Sequence, residues 1–428
     1  MTSRLLSRHT IGLLTPVLVL CGISLLTMQA LFSSEPLHVL SRAAIKQGGF
    51  VVVGLGLIWL LLAIGYQRVG RLAAILFVGS IGLLVLVQVG KYAGFSFVPY
   101  RKGAWRWIDV GPVQFQPSET MKIAYVLALA WYLKYRRSYR TLGGLVAPFI
   151  ITLIPMALIL VQPDLGTVLL FLPVLFAMLF AAGAKIKHLV IIILLGILCV
   201  PFFWMKIHEY QRLRLVGMVL QNAQIRLYFT EHPDRWDWFR PPTKKGDPKN
   251  AAEEWRNQLT RWETNTGFHL VRGKAAIGSG GMFGMGWADG PFVEDDLLLP
   301  ERENDFIFAM IANQWGFVGG LVVLGCYVLF VVFGLDVATS TRDPFGRLVA
   351  VGITTLIAMQ AFTNICMTVG IGPVTGVTLP FLSQGGSSLI SCFTCLGLLM
   401  SVAYHRPIIM ANDAFRFNEE AERYGAVR

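Results

Sequence analysis

The chain has 428 residues, of which 55% are hydrophobic and only 14% charged, with a formal net charge of +12. So little charge over such a length excludes an ordinary soluble protein, and apolar runs near the ~20 residues that cross a bilayer recur throughout. The basic balance would suit nucleic acid, but no DNA- or RNA-binding motif accompanies it, and the bias of Lys and Arg among the loops accounts for much of it.

In chain order the apolar runs predict ten transmembrane helices, at 11–32, 48–65, 72–90, 119–135, 145–161, 165–183, 187–205, 306–333, 347–370 and 384–404. Helices are expected because a span must satisfy its own backbone inside lipid. Residues 1–32 have the basic start and apolar stretch of a signal peptide, but a retained first span keeps the loop charges consistent. Arg4, Arg8, Arg68, Arg71, Lys134, Arg136, Lys185, Lys187, Arg342 and Arg347 then share one side, which the positive-inside rule makes cytoplasmic. Both termini fall on that side. The fold class is therefore all-α integral membrane, a single polytopic domain over 1–428.

One break in composition interrupts it. Residues 206–304 form a large extracytoplasmic loop, polar and aromatic at first, and too long for a simple connector. Within it, residues 249–264 suit a short helix with Trp255 and Trp262 seven apart on one face, expected to pack on the loop itself in preference to lying at the membrane interface. The six cysteines all fall in predicted spans, so no disulfide framework is implied. Cys392 and Cys395 read as small packing residues.

Charge at membrane depth marks the candidate chemistry, because a charged side chain at a helix centre costs ~2.5–3.5 kcal/mol on insertion scales. Glu119, Lys122, Asp164 and Asp305 all map to the outer ends of spans. Each has a plainer reading: Glu119 and Lys122 as a helix-start pair, Asp164 in QPDLGT as a helix cap. Asp305, just before an apolar run, fits a cap and a general base equally. A helix dipole would lower its pKa; Glu301 and Glu303 would raise it. Two glycine-rich stretches, GSGGMFGMG (278–286) and SQGGSS (383–388), suit tight turns and close packing better than a phosphate cradle, since no GK[ST] follows. The seven histidines show no metal-ligand spacing.

GAWRWIDVGPVQFQPSETMK (103–122), VQPDLGT (161–167), AIGSGGMFGMGW (276–287), LPERENDFIFA (299–309) and GVTLPFLSQGGSSL (376–389) together resemble the signatures of the SEDS family (shape, elongation, division, sporulation), in the family's order. The resemblance implies a ten-helix fold and a peptidoglycan glycosyltransferase of the bacterial cytoplasmic membrane that polymerises lipid II. It also implies a divalent cation (Mg2+ or Mn2+), a class B penicillin-binding protein as partner, and the elongation machinery. Arg302, Lys274 and Gly286-Trp287 look closer to the elongation (RodA) branch than to the division (FtsW) branch.

Asp305 matches the family's essential aspartate, here in PERENDFIFA where the family commonly has PE[RA]HTDFIFA. Glu303 and Asn304 thus replace His and Thr, and Gln384 stands where Tyr is common. Arg106 and Lys122 are expected to meet the leaving pyrophosphate. Lys274, Glu301, Ser387 and Ser388, inside the matching blocks, are expected to contact substrate, and Glu119 and Asp164 to organise the site or bind the cation. Competing expectations are a lipid II flippase, a division-type polymerase and an inactive scaffold.

Overall fold

A computed structural model describes residues 8–32, 40–136, 141–206 and 266–405, with 224 and 228, and without 102, 112 and 296. The expectation for Trp255 and Trp262 falls outside these residues. The long helices are α1 Arg8–Phe32, α2 Arg42–Ile64, α3 Ala73–Ala93, α4 Pro117–Tyr135, α5 Val146–Val161, α6 Leu165–Ala182, α7 Ile186–Lys206, α8 Thr266–Ser279, α9 Ile307–Ser340, α10 Pro344–Val369 and α11 Gly386–Tyr404. A small antiparallel pair, β1 Ile108–Val110 and β2 Val113–Phe115, precedes α4, with Ile108 opposite Phe115.

Each of the ten predicted spans falls on one of these helices. Eight of them are long and apolar enough to cross a bilayer. The remaining two have local reasons to fall short: α4 carries Glu119, Lys122 and Lys134, and in α7 the apolar stretch is described only over Ile186–Leu198.

Several helix starts follow from their sequence. The Ser41 hydroxyl accepts from the Ala44 N–H at 3.1 Å. Asp343 accepts from the Gly346 N–H at 3.0 Å, with Pro344 at the first helical position. Both satisfy amides that the helix leaves unpaired.

The helices pack through small residues, as they must where lipid offers apolar contacts as good as another helix does. Helix α2 meets α11 at Gly54, where a Cβ would lie 2.2 Å from Phe393, and at Gly397, where one would lie 3.1 Å from the Ile58 backbone. Helix α10 is central, packed on α9, α6, α4 and α11. Helix α1 packs on α9 and α2 as part of the bundle.

The two ends of the bundle differ. At one end His9 pairs with Asp336 at 2.8 Å, the Tyr66 hydroxyl donates to Asp343 at 3.0 Å, and Lys134 lies 4.0 Å from the same carboxylate. Burial, and next the Asp343 charge, hold the Tyr66 phenol above its usual range, so it remains a donor there. The basic loop residues Arg68, Arg71, Arg342 and Arg347 belong to this end. Asp305 lies at the other.

Helix α9 departs from the uninterrupted span expected over 306–333. It runs on to Ser340 and is broken at Gly316, where φ is 66° and ψ −161°. The glycine-rich stretch fills the break. The Met285 and Gly286 N–H groups donate to the carbonyls of Asn313 and Gln314 at 2.9 and 3.3 Å. In return, the Phe317 and Val318 N–H groups donate to the carbonyls of Gly281 and Met282 at 2.9 and 3.2 Å. Backbone groups freed by the break are thus paired, as burial requires. The packing reading of GSGGMFGMG therefore holds over the phosphate-cradle reading: these N–H groups face a helix.

The break also marks a level. Ile307 through Gln314 are all buried in protein, whereas an exposed apolar stripe on α9 begins at Phe317 (61% exposed) and ends at Leu335 (45%). That stripe is ~27 Å long at 1.5 Å per residue, close to the ~30 Å hydrocarbon core. The first turns of α9, and Asp305 before them, lie outside this exposed stripe.

Candidate active site

Asp305 is half-buried at the lip of α9. The cap reading needs correction: the helix starts at Ile307, and its N-cap residue is Phe306, which makes no side-chain cap bond. Asp305 instead closes a turn in which its own N–H and that of Asn304 both reach the Glu301 carbonyl at 3.1 Å. Glu301 sits at φ 59° and its carboxylate accepts from the Asn304 amide at 2.7 Å. Arg302, 3% exposed, ties this turn down by donating to the carbonyls of Phe292, Val293 and Leu31.

The segment between α10 and α11 grips the same turn. The Gln384 N–H donates to the Glu303 carbonyl at 2.9 Å, and the Ser383 hydroxyl to the Asn304 carbonyl at 2.6 Å. These are backbone contacts, so they tolerate the Glu303 and Asn304 side chains that depart from the family pattern. Asn364 of α10 donates to the carbonyls of Asp305 at 2.8 Å and Val377 at 2.6 Å. Gly376, at φ 72°, lies directly beneath the carboxylate: a Cβ there would come within 3.4 Å of the Asp305 Oδ2.

A second set of predicted residues joins this one through hydrogen bonds. Lys122, 3% exposed, donates to Glu119 at 2.8 Å and to Gln360 of α10 at 3.1 Å. The Gln360 amide nitrogen reaches the Thr378 carbonyl at 3.1 Å, and the Thr378 hydroxyl meets Ser388 at 2.8 Å. Ser387 accepts from the Gln116 N–H at 3.1 Å, and the Gln116 side chain reaches Asp164 at 3.4 Å. Lys122 is therefore turned into the bundle, against the expectation that it meets a pyrophosphate.

Asp164 is a helix cap, as its sequence suggested. It accepts from the Thr167 N–H at 3.2 Å and from the Thr167 hydroxyl at 2.9 Å. Arg106 holds the same corner by donating to the carbonyls of Gln162, at 2.8 Å, and Pro163. Lys274 is exposed on α8, next to Gly273, which packs against Phe306 beside Asp305.

The two acids expected to bind a cation do not fit a resident ion. Asp164 has both oxygens engaged, Glu119 is matched by Lys122, and no group of three His, Cys, Asp or Glu gathers among the described residues. Glu119 nonetheless keeps one oxygen, Oε2, buried without a hydrogen-bond partner. It borders a cavity of about 320 Å³ whose walls include Leu61, Leu76, Ile123, Leu127 and Leu398, with Gln114, Ser387 and Ser391 toward the Asp305 end.

Sequence reading missed Gln360, Asn364, Ser383 and Thr378. The first two had a signal: amides four residues apart, on one face, inside an otherwise apolar run.

A family model described as a cell cycle protein, covering FtsW, RodA and SpoVE, matches residues 5–224 and 249–408. Peptidoglycan glycosyltransferase RodA of Treponema pallidum (strain Nichols) is 32% identical over 424 residues, 91% of this chain and 96% of that protein. Peptidoglycan glycosyltransferase MrdB of Escherichia coli (strain K12) is 34% identical over 329 residues, 76% of this chain and 77% of that one. Among solved structures, a chain described under structural coordination of polymerization and crosslinking by a peptidoglycan synthase complex superposes with a TM-score of 0.68 at 28% identity, covering 93% of this chain and 98% of that chain. With the helix order, the Asp305 turn and these matches in agreement, the chain belongs to the FtsW/RodA/SpoVE family of multi-pass membrane proteins.

Proposed function

We propose that this protein is a peptidoglycan glycosyltransferase that polymerises lipid II, with Asp305 as general base. The observation that carries the reading is the setting of Asp305. Its carboxylate lies at one rim of the bundle, over a glycine, on a turn whose carbonyls are held by the Asn364 amide and the Ser383 hydroxyl. A mostly apolar cavity runs along α2, α4 and α11, with Gln114 and Ser387 among its walls, and suits a polyprenyl tail. The names of the RodA and MrdB relatives support the same activity.

In this reading the acceptor GlcNAc gives its 4-hydroxyl proton to Asp305. The oxygen attacks the anomeric carbon of the donor MurNAc, the bond from that carbon to phosphate breaks, and undecaprenyl pyrophosphate leaves with the bonding pair. A carboxylate of ordinary basicity suffices when proton transfer comes late, after charge has built on the sugar carbon. The leaving pyrophosphate meets the N-terminal amides of α11, with the hydroxyls of Ser387 and Ser388, and the guanidinium of Arg106 nearby. The divalent cation that the family implies would accompany the pyrophosphate rather than reside in the protein.

Ten helices then span the bacterial cytoplasmic membrane, with both termini and the basic end inside and residues 206–304 outside. A class B penicillin-binding protein as partner is supported by the likeness to a synthase-complex chain. A role in elongation rather than division is supported by the RodA and MrdB relatives and by Arg302 and Gly286-Trp287.

Purified Asp305→Asn, assayed for glycan product from lipid II, is expected to lose ~10²–10⁴-fold in rate, the usual worth of general-base help. A wild-type rate would remove Asp305 from the chemistry.

A further inference from the structure

We infer that Asn364 is the positioning residue for the Asp305 carboxylate, fixing it through the paired carbonyls of Asp305 and Val377. The inference rests on Asp305 being the base.

Asn364 is wholly buried in α10. Its side-chain nitrogen lies 2.8 Å from the Asp305 carbonyl and 2.6 Å from the Val377 carbonyl. Two acceptors need two hydrogens, and an amide nitrogen supplies two in one plane. The opposite orientation would set the amide oxygen against two carbonyl oxygens, so the network decides the assignment. The amide oxygen, Oδ1, is left buried without a partner. Such a group costs free energy in a fold, which argues that both donors are needed where they are.

The geometry explains what they do. Asp305 is on the turn before α9, and Val377 is beside Gly376, over which the carboxylate sits. One amide thus locks the residue bearing the carboxylate to the segment forming its floor. Gln360, one turn earlier on α10, holds the next residue of that floor, Thr378, and is itself fixed by Lys122. The Asp305 side chain is thereby referenced to α10 and α4, two packed helices, rather than to a loop. Displacing a reacting group by about 1 Å can cost on the order of 10²-fold in rate.

The test uses the full chain in membranes, with lipid II as substrate. Asn364→Ala removes both donors and is expected to lower the rate at saturating lipid II by on the order of 10²-fold, with the apparent KM within about twofold of wild type. Asn364→Asp keeps the shape but turns a carboxylate oxygen on the two carbonyls. Its protonated form regains one donor, so its rate relative to wild type should rise as pH falls from about 8 to about 6. The titratable and charged groups around this position are Asp305, Glu301, Arg302 and Glu303 on the turn, His269 and Lys274 of α8, Cys366 of α10, and the Lys122–Glu119 pair joined through Gln360. Wild type shares all of them, so the ratio cancels their effects.

Asn364→Ala within about twofold of wild type, or a ratio flat with pH, overturns the inference while leaving an inactive Asp305→Asn intact. A wild-type rate in Asp305→Asn overturns the base assignment and this inference with it. Should neither Asn364 variant accumulate in the membrane, the residue holds the fold rather than the carboxylate, and the inference is again overturned.

Discussion

Lys122 and Glu119 show how a charge survives inside an apolar helix of this protein. Their side chains are 3% and 7% exposed and 2.8 Å apart, three residues along one helix. Removing one partner leaves a buried, uncompensated charge, which costs about 3–5 kcal/mol, whereas removing both with good packing costs far less. Lys122→Met should therefore lower the thermal unfolding midpoint of the purified protein more than the double variant Lys122→Met with Glu119→Gln. Equal losses would mean that the pair contributes nothing as a pair. At this scale the sequence was legible where chemistry and spacing coincide: Asp164 could be read as a cap because QPDLGT places it directly before the helix it caps. Asn364 and Gln360 were not legible as site residues, because what makes them so is two carbonyls brought from segments 59 and 18 residues away.

Among the elements, the ten apolar runs were legible as helices because composition alone decides them in lipid. The break in α9 was not: Asn313 and Gln314 interrupt the apolar run just before Gly316, but two amides in a span do not by themselves announce a break. Nor was the β1–β2 pair, whose three-residue strands are shorter than any period test resolves. The partner of the break is the glycine block, and its glycines differ sharply in what they permit. A Cβ at Gly284 would lie 2.1 Å from the Gln314 carbonyl, at a φ of 90°, whereas one at Gly278 on α8 would meet nothing within 4 Å. Gly284→Ala should destabilise by more than the ~1–2 kcal/mol of left-handed strain alone and slow polymerisation, because the first turns of α9 lead directly to Asp305. Gly278→Ala should be neutral, or gain up to about 1 kcal/mol of helix propensity. Thermal unfolding and polymerisation rates of the two variants, measured together, check the contrast. Similar behaviour of both would deny the block its role as the complement of the break.

At the scale of the molecule, the reaction proposed here depends on which end of the bundle faces out. The basic residues Arg68, Arg71, Arg342 and Arg347 gather at the end opposite Asp305, and the proposed orientation, argued from that charge bias, has this end in the cytoplasm. Two exposed positions report the ends separately: Leu297, 80% exposed in the segment leading to Asp305, and Arg342, exposed between α9 and α10. Among the cysteines whose side chains are described, Cys21, Cys326, Cys392 and Cys395 are buried and Cys366 is half-buried, and a Cys199→Ser background removes the sixth. In right-side-out membrane vesicles, a membrane-impermeant maleimide should label Leu297→Cys and leave Arg342→Cys unlabelled until the vesicles are opened with detergent. The reverse pattern would put the carboxylate on the cytoplasmic side, where a lipid-linked sugar already carried across the membrane could not reach it. No adjustment of residue roles would then rescue Asp305 as the base, because the sidedness constrains the chemistry more tightly than any single contact within the site.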